Sequence, residues 1–469
     1  MRSVAFLCVA LLLVASLAAE SAAPARTPNV LFIAVDDLND WVGHLGGHPN
    51  VRTPHLDRLA RRGVSFTNAH CAAPACNPSR AALLSGLRPS TTGIYHNHHN
   101  WLDTLAQVVT LPEHFRACGY RVLGGGKIFH GNQNAARFWD EYYQRSELPP
   151  PARPYNGLDR AQFDWKALDI PEQDMPDYKL VSWAIEQLRR PHDKPLFLAV
   201  GIVKPHLPWY VPKKYFDMYP RDRITLPTVP DDDLDDVPPI GRRMANPEGD
   251  HRAVVSSGQW RDAVQAYLAT ITFVDDQVGR LLDALDRSPM AGNTVIVLWG
   301  DHGWHLGEKH HWRKFTLWEE ATRAPLIIVA PGVARPGGLC PRPVDFLSVY
   351  ATLADVCGLP VPQHVQGPSL RPLLENPMAQ WNRMALTTHG RGEHAVRSDQ
   401  WRYIRYHDGT EELYDHAADP MEWHNIAADS KHAELKRQMS TWMPKSEAQE
   451  ASLAKTPKKA KRRAAKQQR

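Results

Sequence analysis

The strongest constraint on the fold is an alternation of short apolar runs with amphipathic helical patterns. Asn29–Val35, Leu196–Ile202, Thr294–Trp299 and Leu326–Ala330 are rich in Val, Ile, Leu and Phe, and read as buried strands. Between them, Thr53 can cap a helix with Pro54 at its first position, Leu56, Leu59 and Ala60 inward, and Gly63 as its stop. Val181, Ala184, Ile185 and Leu188 form a second helical stripe, and Tyr267, Ile271, Val274, Val278, Leu281 and Leu285 a long third one. Strands alternating with helices predict an α/β fold whose large, mostly parallel sheet is covered by helices on both faces. Such sheets bind ligands beyond the carboxyl ends of their strands.

The 469 residues suggest one large domain and a smaller one, and 43% hydrophobic content excludes a disordered chain. Arg2, the apolar run Val4–Ala19 and small residues through Ala23 read as a secretory signal over 1–23. The protein is therefore expected to be exported, to a periplasmic, extracellular or lysosome-like compartment, with no membrane span after cleavage. A catalytic domain is expected over 24–375. Short segments such as Trp401–Tyr406 and Glu412–Tyr414 suggest a small antiparallel sheet subdomain over 376–445. The polar stretches 131–178 and 220–257, the second holding Asp231, Asp232, Asp233, Asp235 and Asp236, read as solvated loops or as the rim of a binding site.

Net charge is +4, but residues 455–469 hold eight Lys or Arg and no acid, which leaves 47 basic and 51 acidic residues elsewhere. The block 446–469 reads as a solvated basic tail, or as a contact with an anionic polymer or surface. No nucleic-acid-binding motif occurs, so nucleic acid is not expected as a partner. The mature chain keeps Cys71, Cys76, Cys118, Cys340 and Cys357, an odd count for an exported protein.

Two strand ends carry acid-led pairs. Val30–Val35 runs into Asp36 and Asp37, and Thr294–Trp299 into Gly300, Asp301 and His302. Adjacent residues inside a strand point to opposite faces, but at the strand end a turn can swing both toward one centre. Isolated aspartates at such positions are ordinary turn or cap residues. Together the two pairs could hold one divalent cation. Three carboxylates favour calcium or magnesium, while His302 leaves the metal's identity open. In Cys76-Asn77-Pro78-Ser79-Arg80, a helix starting near Pro78 places Cys76 at a helix N-terminus, where negative charge is stabilised, with Arg80 one turn on. From spacing alone, Cys76 is equally a thiolate nucleophile or half of a disulfide with Cys71.

Cys76-Asn77-Pro78-Ser79-Arg80 with its Leu83-Leu84-Ser85-Gly86 continuation resembles the signature of the type I sulfatases, with Ser85 where Thr is frequent. Asp36-Asp37 and Asp301-His302 match that family's metal-ligand positions, and Thr53–Leu59 resembles its first helix; the similarity runs from about 28 to 430. The resemblance implies an alkaline-phosphatase-like fold. It implies conversion of Cys76 to formylglycine (3-oxoalanine) by a formylglycine-generating enzyme, the aldehyde hydrate acting as nucleophile. It also implies one divalent cation, Ca2+ before Mg2+, on Asp36, Asp37, Cys76, Asp301 and His302. Lys127 and His130 in Gly126–His130, His206 in Lys204–Pro208, and Lys314 after Trp312-Arg313 match the iduronate-2-sulfatase branch. There they would bind sulfate with Arg80 and assist its transfer, His206 as proton donor. Taken singly, each reads as a surface cation or a satisfied histidine.

The substrate implied is a sulfated oligosaccharide or polysaccharide, with a 2-O-sulfated uronic acid at a chain end. Trp41, Trp101, Trp209, Trp304 and Trp312 could stack on sugars or be core, and His96, His98 and His99 could line the rim. A phosphatase or phosphonate hydrolase of the same fold, and a polysaccharide-binding protein without catalysis, are the alternatives.

Overall fold

The computed structural model describes residues 27–131, 136–160 and 162–454; the expected signal peptide and the basic block from 455 onward lie outside them. Its centre is an eight-stranded sheet. The strands are β1 (Asn29–Asp36), β2 (Val64–Phe66), β3 (Arg121–Gly126), β4 (Glu141–Tyr143), β5 (Leu196–Pro205), β6 (Thr294–Gly300), β7 (Leu326–Val329) and β8 (Gly338–Cys340). Their spatial order is β8-β2-β7-β6-β1-β5-β3-β4. Only β7 runs antiparallel to its neighbours, so the sheet is mixed and mostly parallel.

Alternation along β1 builds the two layers. Leu31, Ile33 and Val35 enter a core shared with α1 (Pro54–Ala60), α3 (Pro176–Arg189) and α4 (Trp260–Asp286). Val30, Phe32 and Ala34 face α2 (Cys76–Ser85) and α5 (Ser348–Val356) on the other side. All six stripe residues of α4 are buried. Each contributes roughly 1.5–3 kcal/mol of burial, which outweighs the helix's weak intrinsic preferences.

Several local expectations change in the folded chain. Thr53 does not cap α1: its hydroxyl accepts from the Gly43 N–H at 2.8 Å. The helix start is satisfied instead by Asp275 of α4, whose carboxylate accepts from His55 N at 3.1 Å and Leu56 N at 2.7 Å. The helix ends at Ala60, before Gly63. Cys71 and Cys76 are both buried and unbridged, which removes the disulfide alternative. The stretches 131–178 and 220–257 contain short strands and helices, and Asp233 is buried against Lys309, so they are not simple solvated loops. The five tryptophans are core residues.

A second sheet, β9 (Ala385–Thr388), β10 (His394–Arg397), β11 (Trp401–Arg405) and β12 (Glu411–Asp415), is an antiparallel meander. It meets the first unit through buried charge: Arg402 reaches Glu422 at 2.5 Å and also pairs with Glu319. Residues 446–454, expected to open the basic tail, hold no Lys or Arg and lie hydrogen-bonded along 90–100. Among the described residues, no helix is long and apolar enough to cross a membrane.

Candidate active site

The carboxyl ends of β1 and β6 lie side by side, because Val35 pairs with Gly300 in the parallel ladder. The register of β1 against β5 slips between Val35 and Asp36, and Asp37 takes a left-handed φ of 61°. That break cancels the strand's alternation, so two adjacent carboxylates face one centre. Aspartate tolerates this conformation better than most residues. Tyr267 of α4 fixes the turn by donating to the Asp37 carbonyl at 2.7 Å while accepting from Asn39 N at 3.0 Å. Asp37 N donates to Asp301 Oδ1 at 2.9 Å, which ties the two strand ends together.

Helix α2 begins at Cys76 and delivers the thiol to this centre. Sγ lies 2.9 Å from Lys314 Nζ, 3.4 Å from His302 Nε2 and 3.8 Å from Asp37 Oδ1. Burial and Asp36 push the Cys76 thiol up, but Lys127 and Lys314 overcome them and leave it below its ordinary value. Lys314 also holds Asp37 Oδ1 at 2.5 Å. Burial works against its ammonium, and Asp37 and Cys76 carry its pKa well up. Lys127 pairs with Asp36 Oδ2. Burial raises Asp36, yet Lys127, His206, Arg80 and Lys314 together hold it well below the carboxylate range. Asp37 goes the other way: burial raises it, and Lys314 and His206 only partly compensate.

Arg80 is fully buried, but its donors are taken by the protein. Nε donates to Asp301 Oδ2 at 2.8 Å, Nη2 to Asp36 Oδ1 at 3.3 Å, and Nη1 to the Ile128 carbonyl at 3.1 Å and to that of Lys127. It therefore orients two carboxylates, a different task from the sulfate contact expected of it. His206 stands at the edge, Nε2 3.9 Å from Asp37 Oδ2, with Nδ1 donating to the Leu207 carbonyl at 2.6 Å. Burial takes it down to about 4 against the pull of Asp37 and Asp36. His130 is half-buried beside Lys127, and burial with that ammonium takes it down to about 3.

The donor set fits a hard cation. Ligand atoms of Asp36, Cys76, Asp301 and His302 lie within 4.8 Å of one another, as do those of Asp36, Asp37, Cys76 and His206. Asp37 Oδ2 is buried with no hydrogen-bond partner, a costly state that a bound cation would relieve. His302 Nδ1 bonds the Gly303 carbonyl at 2.9 Å, so its Nε2 is the nitrogen turned to the carboxylates.

Sequence reasoning missed the supports. Tyr267 reads as one more residue of an apolar stripe. Lys204 is buried, donates to the His206 carbonyl at 3.2 Å, and is lowered by burial to about 7 despite Asp177. Asn77 ties α2 to the His96 and His99 carbonyls at 3.1 and 2.9 Å. Nothing in local spacing separates these from surface polar residues.

A two-faced α/β sandwich with an acid- and cation-rich centre at its strand ends defines a hydrolase of alkaline-phosphatase-like architecture. The family model for Sulfatase matches residues 28–359, and that for N-sulphoglucosamine sulphohydrolase, C-terminal, matches 307–449. This chain belongs to the sulfatase family. A sulfatase of Formosa agariphila is 42% identical over 447 residues, covering 90% of this chain and 87% of that one. Human iduronate 2-sulfatase is 32% identical over 392 residues, covering 73% and 71%. A solved structure of a protein bound to its substrate D-glucosamine-2-N,6-O-disulfate superposes with a TM-score of 0.73 at 22% identity, covering 89% and 96%.

Proposed function

We propose that this sulfatase is exported and removes a 2-O-sulfate from an iduronate-like uronic acid at the end of a sulfated carbohydrate chain. Cys76 would be matured to formylglycine by a formylglycine-generating enzyme, and Asp36, Asp37, Asp301 and His302 would hold one divalent cation, calcium before magnesium. The observation that carries the reading is the position of Cys76 Sγ, buried at a helix N-terminus within 2.9 Å of Lys314 and beside Asp37 and His302. Relatedness to human iduronate 2-sulfatase supports the substrate class.

The charges suit an anionic ester. Three carboxylates (Asp36, Asp37 and Asp301) stand against three permanent cations (Arg80, Lys127 and Lys314), so a divalent cation leaves the centre positive. Such a cation polarises sulfate oxygens and lowers the pKa of a neighbouring hydroxyl. Formylglycine supplies a hydrated aldehyde with one hydroxyl to attack sulfur and a second to expel the sulfate afterwards. Lys314 is placed to stabilise charge on the attacking oxygen, and Lys127 charge on the sulfate. A preorganised donor of this kind is worth ~10²–10³ in rate. Arg80 keeps Asp36 and Asp301 aimed. His206 is the proton donor to the departing sugar oxygen: an arriving sulfate adds to the raising pull of Asp37 and Asp36 on Nε2, while Nδ1 stays on the Leu207 carbonyl. His130 stays neutral and offers a hydrogen bond at the rim.

The test is free sulfate released from a panel of sulfated oligosaccharides, one ending in 2-sulfated iduronate, by protein co-expressed with a formylglycine-generating enzyme. Release lost in Cys76→Ala is expected, with the iduronate substrate leading. A Cys76 peptide shown converted by mass, with no sulfate released from any sugar, overturns the substrate class.

A further inference from the structure

The chain's last described residues form a strap beside the active site. Ala448 N donates to the Ser90 carbonyl at 2.7 Å, Ala451 N to that of Gly93 at 2.9 Å, and Ala454 N to that of His98 at 2.8 Å. In the other direction, Asn100 N donates to the Ser452 carbonyl at 2.7 Å and the Tyr95 hydroxyl to that of Ala448 at 2.9 Å. Gly93, with φ 76°, lets the strap approach this closely: a Cβ there would lie 2.1 Å from the Gln449 carbonyl oxygen. Side chains add Glu447 to His394 at 2.5 Å and Arg391 to Gln449 at 3.2 Å.

The segment beneath the strap is the one that holds the nucleophile helix. Asn77, next to Cys76, is bonded to the carbonyls of His96 and His99 and accepts Asn97 Oδ1 on its own N–H at 2.9 Å. The His96 ring lies 5.7 Å from that of His389, which lies 6.2 Å from Phe315, the neighbour of Lys314. Ala454 is thus two hydrogen-bonded steps from the Cys76 turn, on the rim. Directly after it come the eight Lys and Arg of 455–469, on a chain whose remaining residues carry a net negative charge.

We infer that residues 455–469 are a polyanion-binding arm anchored at the mouth of the active site, which takes the sulfated chain beyond the sugar that loses its sulfate. The inference rests on the carbohydrate-chain substrate proposed above. Fifteen residues reach at most ~50 Å from Ala454, so the arm stays around the mouth. Anchoring turns its contact with an already bound chain into an intramolecular event at roughly millimolar effective concentration. Its charges act over a Debye length of ~8 Å at physiological salt, so the contribution is salt-sensitive.

The test compares the full chain with one ending at Ala454, both with Cys76 converted, on a disaccharide and on heparin chains carrying the same terminal sulfated uronate. Equal kcat/KM is expected on the disaccharide. On heparin, truncation should lower kcat/KM at least tenfold at low salt, through KM, with the gap closing as salt rises. Truncation that leaves heparin kinetics unchanged, or that improves them by freeing a mouth the arm had covered, overturns the inference. A flexible Gly/Ser spacer of ~40 residues after Ala454 keeps the charge but dilutes it, and should raise KM for heparin several-fold; an unchanged KM refutes the anchored position. If the full chain releases sulfate from neither substrate, the proposed function fails, and the arm is read by heparin binding to Cys76→Ala with and without 455–469. There a tenfold loss is expected, and equal affinity overturns it.

Discussion

Replacing Lys309 by Met is expected to destabilise the protein by about 3 kcal/mol and to slow it, although Lys309 touches none of the reacting groups. Its ammonium is 1% exposed and lies 2.6 Å from Asp233 Oδ1, with further bonds to the carbonyls of Asp233 and Glu422. Removing one partner of a buried pair costs about 3–5 kcal/mol because the other charge is left uncompensated. Asp233 keeps one donor, the Lys309 N–H at 3.1 Å, which places the cost at the low end. Lys309→Met with Asp233→Asn should recover about 2 kcal/mol, since a neutral amide needs no counter-charge. Burial already raises Asp233 against the pull of Lys309; without the ammonium it rises further. A carboxyl raised above its unfolded value of ~3.9 costs stability progressively as pH climbs past that value through the folded one. The deficit should therefore be small near pH 4 and full near pH 8. Lys309 also pins a loop whose residues 309, 310, 313 and 315 have φ of 54°, 47°, 79° and 79° and which carries Lys314. Backbone of this kind costs of order 1–3 kcal/mol per residue and persists only when its surroundings hold it, so kcat should fall with stability. Denaturant unfolding followed through Trp318, 5.8 Å from the ammonium, reads the effect. A deficit equal at pH 5 and pH 8, or a double variant no better than the single one, would refute the reasoning.

Chelation should lower the thermal midpoint and calcium restore it, since a ligand at 100 Kd stabilises by about 2.7 kcal/mol; a midpoint indifferent to chelator and calcium counts against the cation site. Lys314→Met should lower kcat by ~10²–10³ with a smaller change in KM, checked by steady-state sulfate release. Burial opposes the Glu319 and Glu422 carboxylates, but Arg397 and Arg402 hold Glu319, and Arg402 and His416 hold Glu422, below the usual range. Their contribution is complete above the unfolded value of ~4.3 and is lost as pH falls through the folded values. Arg402→Met should accordingly move the acid-unfolding midpoint upward; an unmoved midpoint would show that the cluster adds nothing to stability.

Much of the centre is legible because its parts are local. Val30–Val35 and Thr294–Trp299 announce buried strands, and their polar endings announce a site. Cys76 and Arg80 sit one helical turn apart wherever a helix starts at that point. What the same residues do with their hydrogen bonds is not local. Arg80 looks free to bind an anion until Asp301, more than two hundred positions away, takes its Nε. Thr53 looks like a cap until Asp275 supplies one from α4. The basic tail looks unattached until Gly93 gives its strap a seat.

By itself the sequence determined the alternation of strands and helices, the two layers, and which strand ends carry acids, because these follow from backbone sterics and side-chain periodicity within a few residues. Tertiary structure alone decided that Asp36 and Asp37 converge, that Asp233 pairs with Lys309, and that residues 446–454 lie against 90–100. Each of these settles a charge or an unpaired backbone group with a partner distant in the chain. Such partners become neighbours only when burial has removed water as the alternative.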